Sequence, residues 1–133
     1  MDWSTDVEKL RAATIAAFDA LPSALEGQRL YAICLQTADD GMGVGFCANT
    51  EEGYVEKRAS EAEVEDMTPE YSVYMRWAPA EWRYELFGDD HFADVNGDFT
   101  AASLDGIEDL ALNRWVFGKQ AEFILLRKTA AAL

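Results

Sequence analysis

The middle of the chain holds a dense run of aromatic side chains around Pro79 and Glu81, YMRWAPAEWRYELF over residues 74–87. An apolar wall with one charged group is the usual composition of a small-molecule site. The residues that would line such a pocket are Trp77, Glu81, Trp82 and Tyr84. The alternative is a buried corner between a strand and a helix, in which Glu81 pairs with Arg76 or Arg83. We favour the corner, because two tryptophans at a turn usually belong to the core.

The other residue types that do chemistry give little support to an enzyme. His91 is the only histidine, so a Ser-His-Asp or Cys-His arrangement would have to use it as the base. It follows the acidic loop Gly88-Asp89-Asp90, and the sequence has no G-x-S-x-G motif and no phosphate-binding glycine loop. Cys34 and Cys47 stand with it at no zinc-ligand spacing. We therefore expect two buried thiols, no cofactor and no metal.

Acidic residues dominate the charged residues of the chain. There are 25 acidic and 11 basic residues, a formal net charge of -14 and a pI of about 4.2. Such a surface repels nucleic acids and anionic membranes and attracts a basic partner. The alternative is that the charge serves only to keep the protein soluble. DVNGD, residues 94–98, matches only part of a calcium-loop pattern. The candidate partner-binding residues, all in predicted turns or helix starts, are Asp39, Asp40, Glu51, Glu52, Asp89 and Asp90.

Length and composition predict one domain over residues 1–133. Half of the residues are hydrophobic, enough for a core without disulfides or metals. The first residues lack a basic region followed by an apolar run, and no apolar stretch approaches the roughly 18–20 residues of a membrane helix. We expect a soluble cytoplasmic protein.

The first half of the chain predicts a helix, a hairpin and a second helix. Helical spacing of apolar residues covers residues 5–20, with Ser4 or Thr5 as the cap and Pro22 as the break. Two apolar stretches joined by an Asp-Asp-Gly turn predict strands at Leu30–Thr37 and Met42–Ala48. Gly43 and Gly45 share one face of the second strand with Cys47, which indicates a close approach or a bulge. Asn49 and Glu52 predict a capping box for a helix that ends before Pro69.

The second half predicts a third strand at Tyr71–Trp77, a short helix from Pro79 to Tyr84 and a helix around Phe92, Val95 and Phe99. A further helix at Ile107–Phe117 and a fourth strand at Ala121–Lys128 complete the pattern. The predicted fold is α+β, a mostly antiparallel sheet of about four strands in the order α-β-β-α-β-α-α-β.

Two motifs resemble the bacterial family catalogued as domain of unknown function 4303. The first is LYAICLQTADDGMGVGFCANTEEGY, residues 30–54, and the second is YMRWAPAEWRYE, residues 74–85. The family pattern has a Tyr-Ala strand, an Asp-rich turn, an Ala-Asn-Thr-Glu-Glu helix start and a Trp-x-Pro-x-Glu-Trp corner. The alanine-rich end, TAAAL, departs from it. The resemblance covers essentially the whole chain but implies no reaction; small acidic families of this kind often resemble immunity proteins.

The resulting hypothesis is a non-enzymatic acidic binding protein, an immunity protein that neutralises a cognate bacterial toxin by protein–protein contact. The partner would be a basic toxin domain. The alternative is a small-molecule-binding domain or small hydrolase that uses the Trp77–Trp82 corner. A homodimer is a third hypothesis, because Trp3 and Trp115 could anchor an interface.

Overall fold

A computed structural model describes residues 3–38 and 41–107 of the protein, with side chains described up to residue 104. Two short 3₁₀ turns, Pro79–Glu81 and Asp89–Phe92, lie between the last two helices. The main elements, in chain order, are α1 Trp3–Leu25, β1 Leu30–Thr37, β2 Val44–Thr50, α2 Glu51–Glu61, α3 Pro69–Trp77 and α4 Ala93–Ile107.

The described part is therefore α+β, but its sheet has two antiparallel strands rather than four. The prediction of a third strand at Tyr71–Trp77 is wrong, because this segment is helix α3. Thr68 caps α3 by accepting from the Tyr71 N–H at 3.1 Å, and Pro69 occupies its first turn. The first turn of a helix does not use the N–H of its residues, so proline is well suited to this position. Pro69 therefore begins α3 instead of ending the preceding helix. The helix predicted at Ile107–Phe117 and the strand predicted at Ala121–Lys128 lie outside the described residues, apart from Ile107 at the end of α4.

Helix α1 is longer than predicted at both ends. It begins at Trp3, so Ser4 and Thr5 lie within its first turn, and Pro22 lies inside it instead of ending it. Proline removes one main-chain hydrogen bond, but burial of leucines on either side offsets that loss. The helix ends where Glu26 and Gly27 take positive φ angles of 51° and 83°. Its buried residues are Asp6, Leu10, Ala13, Ala17, Leu21 and Leu25.

The core forms where α1 and α4 pack on one face of the hairpin. The predicted helix around Phe92, Val95 and Phe99 is confirmed for α4, with Phe92 in the 3₁₀ turn that leads into it. These three side chains are at most 2% exposed and pack with Val44 and Phe46 of β2. Burial of large apolar side chains is the main stabilising contribution here.

The hairpin has the predicted first strand but a shifted second one. Strand β2 runs from Val44 to Thr50, not from Met42 to Ala48, and all of its residues are buried. Cys34 lies directly opposite Cys47 in the register. A Cβ at Gly45 would overlap a Leu86 methyl group, so the predicted close approach is present at this position.

The second edge of β2 is covered by hydrogen bonds from other segments. The Asn96 side chain caps both main-chain groups of Val44, accepting at 2.8 Å and donating at 3.0 Å. Ala48 and Tyr84 form an antiparallel bridge, and the Phe87 N–H donates to the Phe46 carbonyl at 2.8 Å. The segment after the aromatic corner is therefore fixed to the sheet.

Helix α2 is capped by Thr50 and not by Asn49. The Thr50 hydroxyl accepts from the Gly53 N–H at 2.9 Å, while the Asn49 side chain turns away to the Arg83 N–H. The capping box fails because Glu52 instead accepts from the Arg29 N–H at 2.9 Å. The helix predicted from Pro79 to Tyr84 is only a 3₁₀ turn that ends at Glu81.

Candidate functional site

The Arg76 guanidinium at the end of α3 contacts a carboxylate and several aromatic rings. It forms a two-pronged ion pair with Glu51, at 2.7 and 3.0 Å. Its central carbon lies 4.1 Å from the centroid of the Tyr31 ring and 5.1 Å from that of Tyr54. A planar guanidinium suits a carboxylate and an aromatic face at the same time.

The main-chain carbonyl of Arg76 is the second connecting point. It accepts from the Tyr31 hydroxyl at 2.7 Å and from the Trp82 indole N–H at 3.0 Å. The Asn49 amide in turn donates to the Tyr31 hydroxyl at 2.8 Å. We call Tyr31, Asn49, Glu51, Arg76 and Trp82 the Arg76 cluster.

Local features of the sequence bring the members of the Arg76 cluster together. A β-bulge between Leu30 and Ala32 leaves Tyr31 without a partner in the strand register, and a bulge re-aims the side chain it carries. Glu51 lies in the first turn of α2, where a carboxylate complements the helix dipole. The cluster thus joins β1, the start of α2 and the end of α3.

Each member of the Glu51–Arg76 ion pair shifts the pKa of the other. The Arg76 hydrogen bonds hold the pKa of Glu51 below its usual range, and Glu51 raises the pKa of Arg76. The pKa of Glu52 is also lowered, chiefly by hydrogen bonding to the main chain at Arg29. Both carboxylates are therefore ionised at neutral pH and engaged with arginines.

The predicted partner-binding residues fall into separate places. Glu51 and Glu52, with Arg29, Val55 and Glu56, line an open depression of about 290 Å³. Asp89 and Asp90 lie exposed on the 3₁₀ turn that packs on α1. Asp39 and Asp40 lie outside the described residues.

The four residues predicted to line a pocket have dissimilar surroundings. Trp82 is buried at 7% exposure, whereas Trp77 is 57% exposed and meets the Tyr31 ring edge-on at 5.8 Å. Tyr84 points to the end of α1, donating to the Ala24 carbonyl at 3.2 Å. None of the four lines the depression described above.

Glu81 has a different partner from the arginines considered in the sequence. Its carboxylate lies 3.2 Å from the Lys57 ammonium and accepts from the Tyr74 hydroxyl at 3.4 Å. Arg76 pairs with Glu51, and Arg83 lies 3.2 Å from Glu56. The predicted pairing of Glu81 with Arg76 or Arg83 is therefore wrong, because both arginines pair with carboxylates of α2 and a lysine of the same helix contacts Glu81.

Sequence reasoning missed an exposed apolar stripe on α3. Val73, Tyr74 and Trp77 are 59%, 51% and 57% exposed, and their spacing places them on one face of the helix, after Glu70. Met75, on the opposite face, is buried. The Thr68-Pro69 start signal would have predicted the helix and, with it, the stripe.

The remaining candidates form no joint site. His91 is exposed, and within residues 3–38 and 41–107 no three His, Cys, Asp or Glu side chains are arranged to hold a metal ion. Cys47 is buried and Cys34 partly so, and neither is in a disulfide. Trp3 is half-buried in α1, while Trp115 lies outside the described residues. No described helix is long and apolar enough to cross a membrane.

Comparison with known proteins places the chain in one family. A family model described as Domain of unknown function (DUF4303) matches residues 10–125. The chain therefore belongs to the DUF4303 family, as the two sequence motifs predicted. No curated protein and no solved structure matches it.

Proposed function

We propose that this member of the DUF4303 family is a non-enzymatic acidic binding protein, and specifically an immunity protein that neutralises a cognate bacterial toxin by contact. The observation that supports this proposal is the exposed stripe of Val73, Tyr74 and Trp77 on α3. A helix of a small domain normally turns its apolar side chains inward. A stripe turned outward is typical of a surface that a partner covers.

The aromatic members of the stripe are held in place before any partner arrives. Trp77 packs edge-on against Tyr31, and Tyr74 stacks on Tyr71 with ring centroids 5.9 Å apart. Side chains that are already ordered lose less conformational entropy on binding. Tryptophan and tyrosine are also the residues that most often dominate the energy of an interface.

The charge around the stripe favours a basic partner. Residues 51–70, which include α2 and lead into α3, hold eight acidic and two basic residues, a net charge of -6. A basic protein surface would be drawn to this region, and its association would weaken as salt screens the charges. The partner in this proposal is a basic toxin domain, whose active surface the α3 stripe would cover.

The test starts from the gene neighbourhood. A toxin-like product encoded beside this gene is co-expressed with the protein, and the affinity is measured at low and high salt. We expect tight binding that weakens with salt. Trp77→Ala should lower the affinity about thirtyfold, the effect of a hot-spot aromatic worth about 2 kcal/mol.

The matched control is Phe18→Ala, because Phe18 is an aromatic residue of α1 that is 47% exposed. It should leave the affinity unchanged. Absence of binding to any adjacent toxin-like product, or equal affinity of Trp77→Ala and wild type, contradicts the proposal. If Trp77→Ala instead removes a small-molecule activity, the aromatic-corner alternative gains support.

A further inference from the structure

The two cysteines occupy opposed positions of the hairpin. Cys34 of β1 pairs with Cys47 of β2 in the antiparallel register. Directly opposed residues have Cα atoms about 4.5–5.5 Å apart. This spacing lies inside the range of about 4.4–6.8 Å that a disulfide requires. The two thiols are nevertheless reduced in the structure.

The two thiols differ in their exposure to solvent. Cys47 is fully buried, whereas Cys34 is only partly buried. Cys47 Sγ lies 3.4 Å from Gln36 Oε1, a neighbour on the same face of the hairpin. Cys34 is therefore the more accessible thiol of the two.

The segment after the aromatic corner completes the surroundings of Cys47. Leu86 has a φ of 52°, in the left-handed region that a side chain of its size rarely adopts. It lies over Gly45, whose missing side chain leaves room for it. Strained main-chain positions of this kind are found preferentially at functional sites.

Hydrogen bonds favour the thiolate form of the pair. A hydrogen bond with Cys34 and, to a smaller extent, one from the main chain at Leu86 lower the pKa of Cys47 to about 7, against the opposing effect of burial. Because the two thiols interact, this titration belongs to the pair. A substantial fraction of the pair is then thiolate at neutral pH, and the thiolate is the reactive form.

We propose that Cys34 and Cys47 form a dithiol site that reacts with small-molecule disulfides by thiol–disulfide exchange. Cys34 passes its thiol proton to the hydrogen-bonded Cys47 thiolate and attacks one sulfur of the small disulfide. The S–S bond breaks, and the small thiolate that leaves takes this proton from Cys47. The Cys47 thiolate then attacks the Cys34 sulfur and expels the second small thiolate. The protein loses two electrons and two protons and gains one disulfide, while the small disulfide is reduced to two thiols.

The test uses the reduced full-length protein, oxidised glutathione at neutral pH and intact-mass spectrometry. Wild type should lose two hydrogen atoms and carry no adduct. Cys47→Ser should retain one glutathionyl group on Cys34, because the resolving thiol is missing. Cys34→Ser should stay unmodified, because Cys47 is buried. Circular dichroism checks that each variant is folded.

Three results would overturn the proposal. They are a wild type that stays fully reduced, a wild type that accumulates the adduct or disulfide-linked dimers, and a Cys34→Ser variant that reacts as fast as Cys47→Ser. If a serine variant does not fold, timed alkylation of folded wild type replaces it. Alkylation must then occur at Cys34 before Cys47, and the reverse order rejects the difference in exposure on which the proposal depends.

Discussion

The two ends of the hairpin are stabilised by different physical means. At the Val44–Phe46 end, β2 packs against α1 and α4 through large apolar side chains such as Phe92. At the Asn49–Thr50 end, it meets the Arg76 cluster, where amide, hydroxyl and guanidinium groups form directed hydrogen bonds. The first region tolerates apolar side chains of similar volume, whereas the second requires hydrogen-bonding atoms at particular positions.

The largest expected effect is at the apolar end of the hairpin. Phe92 is fully buried between α1, α4 and β2, so Phe92→Ala leaves a cavity and should lower the free energy of unfolding by about 3–5 kcal/mol. Urea denaturation measures the loss. Phe18→Ala is the control, because Phe18 is 47% exposed, and it should change stability by less than about 1 kcal/mol. Equal losses in the two variants would contradict the assignment of the core.

The second prediction tests whether the polar region depends on close contact. A Cβ at Gly53 would lie 2.7 Å from Asn49 Oδ1 and 3.0 Å from Arg83 Cβ. Gly53→Ala would displace the buried amide that accepts from the Arg83 N–H. We expect a loss of about 1–3 kcal/mol in the free energy of unfolding, although alanine favours helices.

Gly97→Ala is the matched control, because Gly97 lies in helix α4 and an added Cβ meets nothing within 4 Å. It should raise the free energy of unfolding by roughly 0.5–1 kcal/mol. Thermal melts of the two variants should therefore shift in opposite directions. A rise in both would show that the Asn49 contact does not restrict this helix.

The same contrast explains which parts of the structure the sequence predicted. Apolar periodicity located β1 and the Phe92, Val95 and Phe99 face, because burial alone determines those positions. It failed for Tyr71–Trp77, where alternating apolar residues suggested a strand although Thr68 and Pro69 start a helix. In the helix these alternating residues separate, because Met75 is buried whereas Val73 and Trp77 are exposed.

The candidate site was predicted in parts but not as an assembly. The two quoted motifs contain all five members of the Arg76 cluster, yet periodicity gives no signal for a bulge at Tyr31 or for a side chain that binds a distant carbonyl. Likewise, nothing local in the sequence distinguishes Lys57 from Arg76 or Arg83 as the partner of Glu81. Such pairings depend on where separate elements meet.

The third prediction concerns the pH dependence of the polar region. The folded pKa of Glu51 is lowered from its ordinary 4.5, chiefly by the Arg76 hydrogen bonds. Its contribution to stability is therefore full above about pH 4.5 and is lost as the pH falls through the folded value. Glu51→Gln should make the fall in stability below pH 4.5 shallower than in wild type.

A double-mutant cycle supplies the control. Arg76→Gln should flatten the same acid limb, and the double variant should add no further flattening, because either substitution removes the one coupling. Urea midpoints measured between about pH 3 and 7, across this titration, give the slopes. Additive effects of the two substitutions would mean that Glu51 and Arg76 act on stability independently.

The smallest expected effect is at Glu81, where the corner and the exposed surface meet. Its carboxylate is 23% exposed and lies 3.2 Å from Lys57, which also pairs with Glu61 at 3.0 Å. In Glu81→Gln the single amide oxygen can keep the contact with Lys57, the amide NH2 can donate to the Tyr74 hydroxyl, and Lys57 keeps its second carboxylate. We expect a loss below about 1 kcal/mol in the free energy of unfolding and unchanged affinity for the partner. Lys57→Met, which removes the cation from both carboxylates, should cost more than Glu81→Gln in the same melts. A Glu81→Gln variant that melts like wild type but no longer binds the partner would place this carboxylate in the binding surface instead of in the support of the corner.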